Sequence, residues 1–211
     1  MIDFRIKICG IKNSADAVKA VELGADAIGL NFYKRSLRHV DLDKAIEISA
    51  AAASVVRVGV FVNESAESIN STAEQCGLSF VQLHGDETVE LANELQFPFI
   101  RAVRVSSFES AQVEIKKWSE AGASAVLLDA AAPGQYGGTG HRLDWEQVAE
   151  LQAEIPVILA GGLKCDNVTQ AISTAQPAAI DVASGIEKFP GSKDHDLMDS
   201  FIRAALAAFA P

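Results

Sequence analysis

A chain of 211 residues, 49% hydrophobic and 22% charged, has the make-up of a folded globule with one sizeable core, which excludes a disordered or low-complexity polymer. Eighteen Lys and Arg against 28 Asp and Glu leave a formal net charge of −10. That balance argues against nucleic-acid binding through the general field and requires any anionic ligand to meet a local positive site.

The start, MIDFRIKICG, lacks the basic and apolar regions of a secretory signal, and the longest apolar runs fall far short of a membrane span. Three cysteines, Cys9, Cys76 and Cys165, are odd in number and widely spaced. They fit a reducing compartment better than a disulfide framework, so a cytoplasmic protein is expected.

In chain order, the first predicted strand is Arg5–Cys9, where period-two alternation puts Lys7 and Cys9 on one inward face. An ammonium beside a thiol favours thiolate and so a competent base, whereas a lone cysteine otherwise reads as a small buried hydrophobe. The second strand, Asp26–Phe32, leads into a loop with Lys34, Arg35 and Arg38. A guanidinium there is either a bidentate clamp for a carboxylate or a solvated charge. After the third strand, Val55–Phe61, Asn63 stands at the strand end, and Cys76 continues an apolar stripe with Ile69 and Ala73. The fourth strand, Ser79–Leu83, ends at His84, which either touches a ligand or bonds the turn.

A helical stripe of Thr88, Leu91, Ala92 and Leu95 follows, then a fifth strand, Phe99–Arg104, and a capping pair, Ser106 with Glu109. The sixth strand, Ser124–Asp129, brings a carboxyl out of the apolar run Ala-Val-Leu-Leu. Desolvation there suits a proton donor, and a bond to the following turn is the alternative. Behind it Ala130–Arg142, with Pro133-Gly-Gln-Tyr-Gly-Gly-Thr-Gly140, is long enough for a lid or binding loop. Asp144 with Gln147 marks the next helix start. The seventh strand, Pro156–Ala160, ends in Gly161-Gly162, and the eighth, Ala179–Ala183, in Ser184-Gly185. Met198, Ile202, Ala205 and Phe209 form the last helical stripe, and Gly24, Gly77 and Gly122 stand where helices should end.

Eight strands alternating with helices predict a (β/α)8 TIM barrel occupying 1–211 as one domain. An echo between Glu22–Asn31 and Glu120–Asp129 supports closure, although both are helix-to-strand joints. The competing open doubly wound sheet lacks a G-x-G-x-x-G turn after the first strand. In a barrel the working face is the rim at the carboxyl ends of the strands, here Cys9, Asn31, Asn63, His84, Arg104, Asp129 and the two glycine loops. Gly161, Gly162, Ser184 and Gly185 can present bare N–H groups to a phosphate, or merely serve tight turns. His39, His84, His141 and His195 form no metal-binding spacing with the cysteines.

These residues, in the order Lys7-Ile-Cys-Gly10, Val81-Gln-Leu-His-Gly85, Leu128-Asp129, Gly137-Gly-Thr-Gly140, Asp144-Trp145, Gly161-Gly162 and Ser184-Gly-Ile-Glu187, resemble the phosphoribosylanthranilate isomerase family over essentially the whole chain. The chain departs from that family's pattern at Leu37, Leu143 and Ala183, where proline, phenylalanine and serine are usual.

The resemblance implies a cofactor-free Amadori rearrangement in tryptophan biosynthesis, with Cys9 as general base and Asp129 as general acid. It also implies that Arg38 holds the anthranilate carboxylate, the two glycine loops hold the phosphate, Asp181 and His84 make secondary contacts, and Lys7 tunes Cys9. The expected partner is a phosphorylated small molecule, with no nucleic acid or membrane, and the chain is expected to act as a monomer or homodimer. Among other phosphosugar barrel enzymes, an epimerase would want metal-ligating His and Asp at several strand ends and a synthase a catalytic lysine on a rim strand with an amino-terminal extension. A catalytically silent barrel that binds a phosphorylated metabolite or a protein partner would keep the glycine loops but need neither Cys9 nor Asp129.

Overall fold

The computed structural model describes residues 2–130 and 143–210. Strands β1 (Ile6–Cys9), β2 (Ala27–Asn31), β3 (Val56–Phe61), β4 (Phe80–Leu83), β5 (Phe99–Val105), β6 (Ala125–Ala130), β7 (Val157–Leu159) and β8 (Ala179–Val182) close into a parallel barrel in sequence order. Helices α1 (Ser14–Leu23), α2 (Leu42–Ala51), α3 (Ala66–Cys76), α4 (Val89–Asn93), α5 (Phe108–Glu120), α6 (Trp145–Ala149), α7 (Val168–Ala175) and α8 (His195–Phe209) surround it. Among the described residues no helix is long and apolar enough to cross a membrane.

The eight expected strands are all present, each within one residue of its expected bounds. Strands buried on both faces are short apolar runs bounded by polar or turn residues, which is why their positions can be read directly. Closure is made by β1 against β8, where Ile6, Lys7 and Ile8 register with Ile180, Asp181 and Val182.

Alternation along the strands makes two separate apolar clusters. Ala27, Val58, Phe80, Ile100, Leu127 and Ile158 point inward and plug the barrel, while outward residues such as Ile8, Leu30, Leu83, Val126 and Leu128 pack beneath the helices. Each fully buried Leu, Ile or Val contributes about 1.5–3 kcal/mol relative to leaving it exposed. Above the apolar plug the inward positions become polar, with Gln82, Asp129 and Asp181 each following Phe80, Leu127 and Ala179 of the plug by one pleat toward the carboxyl ends of their strands, and Lys7 beside Asp181.

Helix ends follow local chemistry with two revisions. Gly24, Gly77 and Gly122 all take positive φ, as their positions suggested, and Asp144 caps α6 by accepting from the backbone N–H groups of Glu146 and Gln147. The expected cap Ser106 with Glu109 is displaced by one residue: Ser107 is the cap and forms its box with Ser110, because either of two adjacent serines can serve and the backbone path selects one. Thr88 lies outside the apolar stripe, since its hydroxyl accepts from the N–H of Leu91 at the start of α4. Cys76 does close the stripe of Ile69 and Ala73 on α3.

The stretch between β8 and α8 holds structure that strand and helix periodicity does not predict. The chain there makes a 3-10 turn, Ser184–Ile186, then a small antiparallel hairpin of β9 (Glu187–Phe189) and β10 (Ser192–Lys193). The hairpin brings Glu187 to the Arg38 guanidinium and Lys193 to the backbone oxygen of Ala183.

Candidate active site

A pocket opens at the carboxyl ends of the strands, and Cys9, Arg38, His84, Asp129 and Asp181 line it together with the loops at Gly161-Gly162 and Ser184. Lys7 is fully buried, and neither it nor Gly185 lines the pocket itself. Of the other expected rim residues, Asn31 reaches the pocket, whereas Asn63 and Arg104 do not line it. Both engage the β4–α4 turn instead: Asn63 Oδ1 accepts from the N–H of Asp86, and Arg104 pairs with the Asp86 carboxylate. Lys34 and Arg35 are exposed, leaving Arg38 as the cation of that loop that enters the site. The expected loop Pro133–Gly140, with His141, lies outside the described residues.

β1 delivers Lys7 and Cys9 on one inward face, and β8 sets Asp181 beside Lys7 by register. Lys7 Nζ donates to Asp181 Oδ1 at 2.9 Å and to Gln82 Oε1 at 3.0 Å. Burial opposes the lysine charge, but Asp181 and after it Cys9 together hold Lys7 above the ordinary lysine value.

The expected pull of Lys7 on Cys9 exists but is outweighed. Burial first, and then the charge of Asp181, push the Cys9 thiol above its ordinary value against the opposing influence of Lys7 and Lys193. Burial is the larger cause, and the Asp181 carboxylate that pairs with Lys7 sets its own charge against the help Lys7 gives. Room for the thiol comes from Gly29, registered opposite on β2, where a Cβ would stand 2.7 Å from the sulfur.

Asp129 is buried at the end of β6, with Oδ2 3.7 Å from His84 Nε2 and Oδ1 without a hydrogen-bond partner among the described residues. His84 is held from both sides. Its backbone N–H donates to Phe61 O, and the turn after it is fixed by Glu87, which accepts from the N–H groups of Gly85 and Asn63 and from Arg101 Nη1. Arg101 also donates to Gly85 O and stacks on Trp118 at 4.7 Å.

Arg38 is already half engaged. Its Nε and Nη2 donate to Glu187 at 2.8 and 2.7 Å, so the expected clamp on a ligand can use only the far edge of the guanidinium, whose remaining N–H groups are uncommitted by this pair. Burial opposes the Glu187 charge, but the hydrogen bonds of Arg38 and the charge of Lys193 keep it below the ordinary carboxylate value. Lys193 donates to Glu187 Oε1 and Ala183 O, both at 2.9 Å, while its burial lowers its pKa below the usual lysine value. The departure at Leu37 leaves an exposed side chain, and the loop is tied down by Ser36 Oγ accepting from the Arg38 N–H and by Lys12 donating to Leu37 O.

The two glycine loops meet. Gly161 and Gly162 have φ of 80° and 66°, and a Cβ at Gly185 would fall 1.8 Å from Leu163 O, so only glycine lets the β8 loop seat against the β7 loop. Asn167 Nδ2 donates to Gly162 O at 2.9 Å and braces the pair. Sequence reasoning missed Gln82, Lys193 and Asn167 as site-shaping residues. For Gln82 a signal was present: a polar residue inside an otherwise apolar buried strand, two positions before His84.

Known proteins resemble this chain in sequence and in fold. The model of the N-(5'-phosphoribosyl)anthranilate isomerase family matches residues 6–204. A relative named N-(5'-phosphoribosyl)anthranilate isomerase from Acidithiobacillus ferrooxidans is 45% identical over 199 residues, covering 94% of this chain and 95% of its own. The crystal structure of phosphoribosyl anthranilate isomerase from Thermotoga maritima superposes with a TM-score of 0.89 at 40% identity, covering 97% of this chain and all of that one (100%). A structure of the enzyme in complex with reduced 1-(o-carboxyphenylamino)-1-deoxyribulose 5-phosphate gives 0.84 at 37% identity, with the same coverage, 97% and 100%. The chain belongs to the N-(5'-phosphoribosyl)anthranilate isomerase family.

Proposed function

We propose that this chain, as a single-domain barrel, carries out the family's reaction in tryptophan biosynthesis, the conversion of N-(5'-phosphoribosyl)anthranilate to 1-(2-carboxyphenylamino)-1-deoxyribulose 5-phosphate, with Cys9 as base and Asp129 as acid. The observation that carries the assignment is that a thiol and a buried carboxyl end strands β1 and β6 and line one pocket, with the β7 and β8 glycine loops between them on the rim.

Asp129 gives its proton to the furanose ring oxygen, and the C1'–O bond breaks to leave a protonated Schiff base. That cation acidifies C2' and favours a thiolate nearby, which offsets the burial that otherwise keeps Cys9 protonated. Cys9 takes the C2' proton, its electron pair forms the enolamine, and the enolamine ketonises without a cofactor. The proton that Cys9 sheds to become the thiolate passes by way of water to the Asp129 carboxylate, so that once Cys9 has taken the C2' proton both groups stand as they began.

Arg38 offers the far edge of its guanidinium to the anthranilate carboxylate, and Gly161, Gly162, Ser184 and Gly185 offer N–H groups to the phosphate. Anchoring both ends fixes the sugar between acid and base. His84 and Asp181 flank the reacting atoms, and Lys7 balances the charge of Asp181. The ligand is thus a phosphorylated small molecule, and the chain acts as a monomer or homodimer in a reducing, cytoplasmic setting that suits its three free cysteines.

The test is loss of anthranilate-type fluorescence when the protein meets freshly generated phosphoribosylanthranilate. Cys9→Ala and Asp129→Asn should each lower kcat by about 10²–10⁴-fold while circular dichroism stays unchanged. Turnover like that of the parent in either variant defeats the assignment of that residue.

A further inference from the structure

Polar side chains at the top of the barrel interior form a directed chain from β8 through β1 and β4 toward β6. Lys7 donates to Asp181 and to Gln82 Oε1, and Gln82 Nε2 lies 2.8 Å from His84 Nδ1. An ammonium has donors and no lone pair, so the amide oxygen must face Lys7 and the amide nitrogen must face the imidazole. The amide nitrogen only donates, so Nδ1 must accept. In the neutral ring the proton therefore sits on Nε2. Nε2 is buried, has no hydrogen-bond partner among the described residues, and stands 3.7 Å from Asp129 Oδ2.

We propose that Gln82 is a positioning residue for the isomerisation, one that locks His84 as an Nε2–H donor facing Asp129. This rests on the reading that Asp129 delivers the proton to the ring oxygen. The consequence is twofold. A ring nitrogen that already carries a proton cannot accept the one on Asp129, so that proton is kept for substrate. Once it has been given, the same N–H faces the new carboxylate and lowers the cost of leaving it charged in a buried site. Bare Nε2 would do the opposite, drawing the acid proton onto the imidazole before substrate ring opening. Lys7, held by Asp181, prevents the amide from turning over, which gives that buried ion pair a second role, in orienting Gln82, besides its place next to Cys9.

The test is nitrogen NMR of the full-length protein with 15N-labelled histidine, the His84 signals being identified by their loss in His84→Asn. The expected result is a pyridine-like Nδ1 and a pyrrole-like Nε2 in the parent. Gln82→Glu presents an acceptor to Nδ1, so Nδ1 should become protonated and kcat should fall about 10²-fold, the lower end of what a positioned proton donor contributes, with KM changed less than about threefold. A pyrrole-like Nδ1 in the parent overturns the proposal whether or not Gln82→Glu folds. So does a Gln82→Glu protein whose tautomer and kcat match the parent. Full activity in Asp129→Asn would defeat the acid assignment while leaving the tautomer measurement to decide the role of Gln82 separately.

Discussion

Arg38 and Glu187 meet edge to edge, Nε on Oε1 at 2.8 Å and Nη2 on Oε2 at 2.7 Å, although 149 positions separate them in sequence. The pair joins the β2–α2 loop to the β9 strand, and Lys193 shares Oε1 of the same carboxylate. Glu187 thereby aims the one cation that enters the pocket from the second loop and neutralises a second cation behind it. Glu187→Gln removes the charge from both contacts. Its expected effect is a KM about tenfold higher, from loss of charge-assisted bonds, with kcat little changed. Stability should fall by about 3 kcal/mol because two cations lose their buried partner. Steady-state kinetics and urea unfolding check the two parts, and an unchanged KM would show that Glu187 does not aim Arg38.

Cys9 is buried beside an aspartate whose charge works against the thiolate. Only the thiolate alkylates readily, so labelling should be slow at neutral pH and rise through a midpoint above the ordinary thiol value of about 8.5. Lys7→Met removes a cation that favours thiolate and leaves Asp181 without its partner, and both changes move the midpoint further upward. Iodoacetamide labelling against pH, read at the Cys9 peptide by mass spectrometry, measures both midpoints. A parent midpoint near neutrality would contradict the burial argument.

Gly185 has no space for a side chain against Leu163 O, whereas Gly77, with φ of 58°, has nothing within 4 Å of the point where a Cβ would stand. The contrast separates loop seating from backbone strain. Gly185→Ala should displace the β8 loop and raise both KM and the inhibition constant of inorganic phosphate by about tenfold or more, since several N–H contacts to an anion depend on that loop. Gly77→Ala should cost about 1–2 kcal/mol of stability for its left-handed backbone and leave both constants alone. Equal effects of the two on phosphate inhibition would remove Gly185 from the phosphate site.

Much of the architecture is legible without coordinates because parallel barrel strands are buried on both faces and announce themselves as short apolar runs. The same regularity makes Cys9, His84 and Asp129 readable as rim residues, since each stands where such a run stops. Period-two parity also placed Lys7 beside Cys9 correctly. Boundaries between equivalent neighbours were less legible: Ser106 and Ser107 offer the same hydroxyl, and only the backbone path decides that Ser107 caps α5.

What the sequence alone determined was therefore the barrel, the end of it that holds the pocket, and the residue types gathered there. The tertiary structure decided their partners. Lys7 is neutralised by Asp181 across the closing seam of the barrel, Asn63 and Arg104 engage the β4–α4 turn, and Gln82 becomes a link between a lysine and a histidine. The physical reason is range: alternation and strand ends are set by neighbours along the chain, whereas charge balance and tautomer depend on atoms brought within about 3 Å by closing eight strands into a ring.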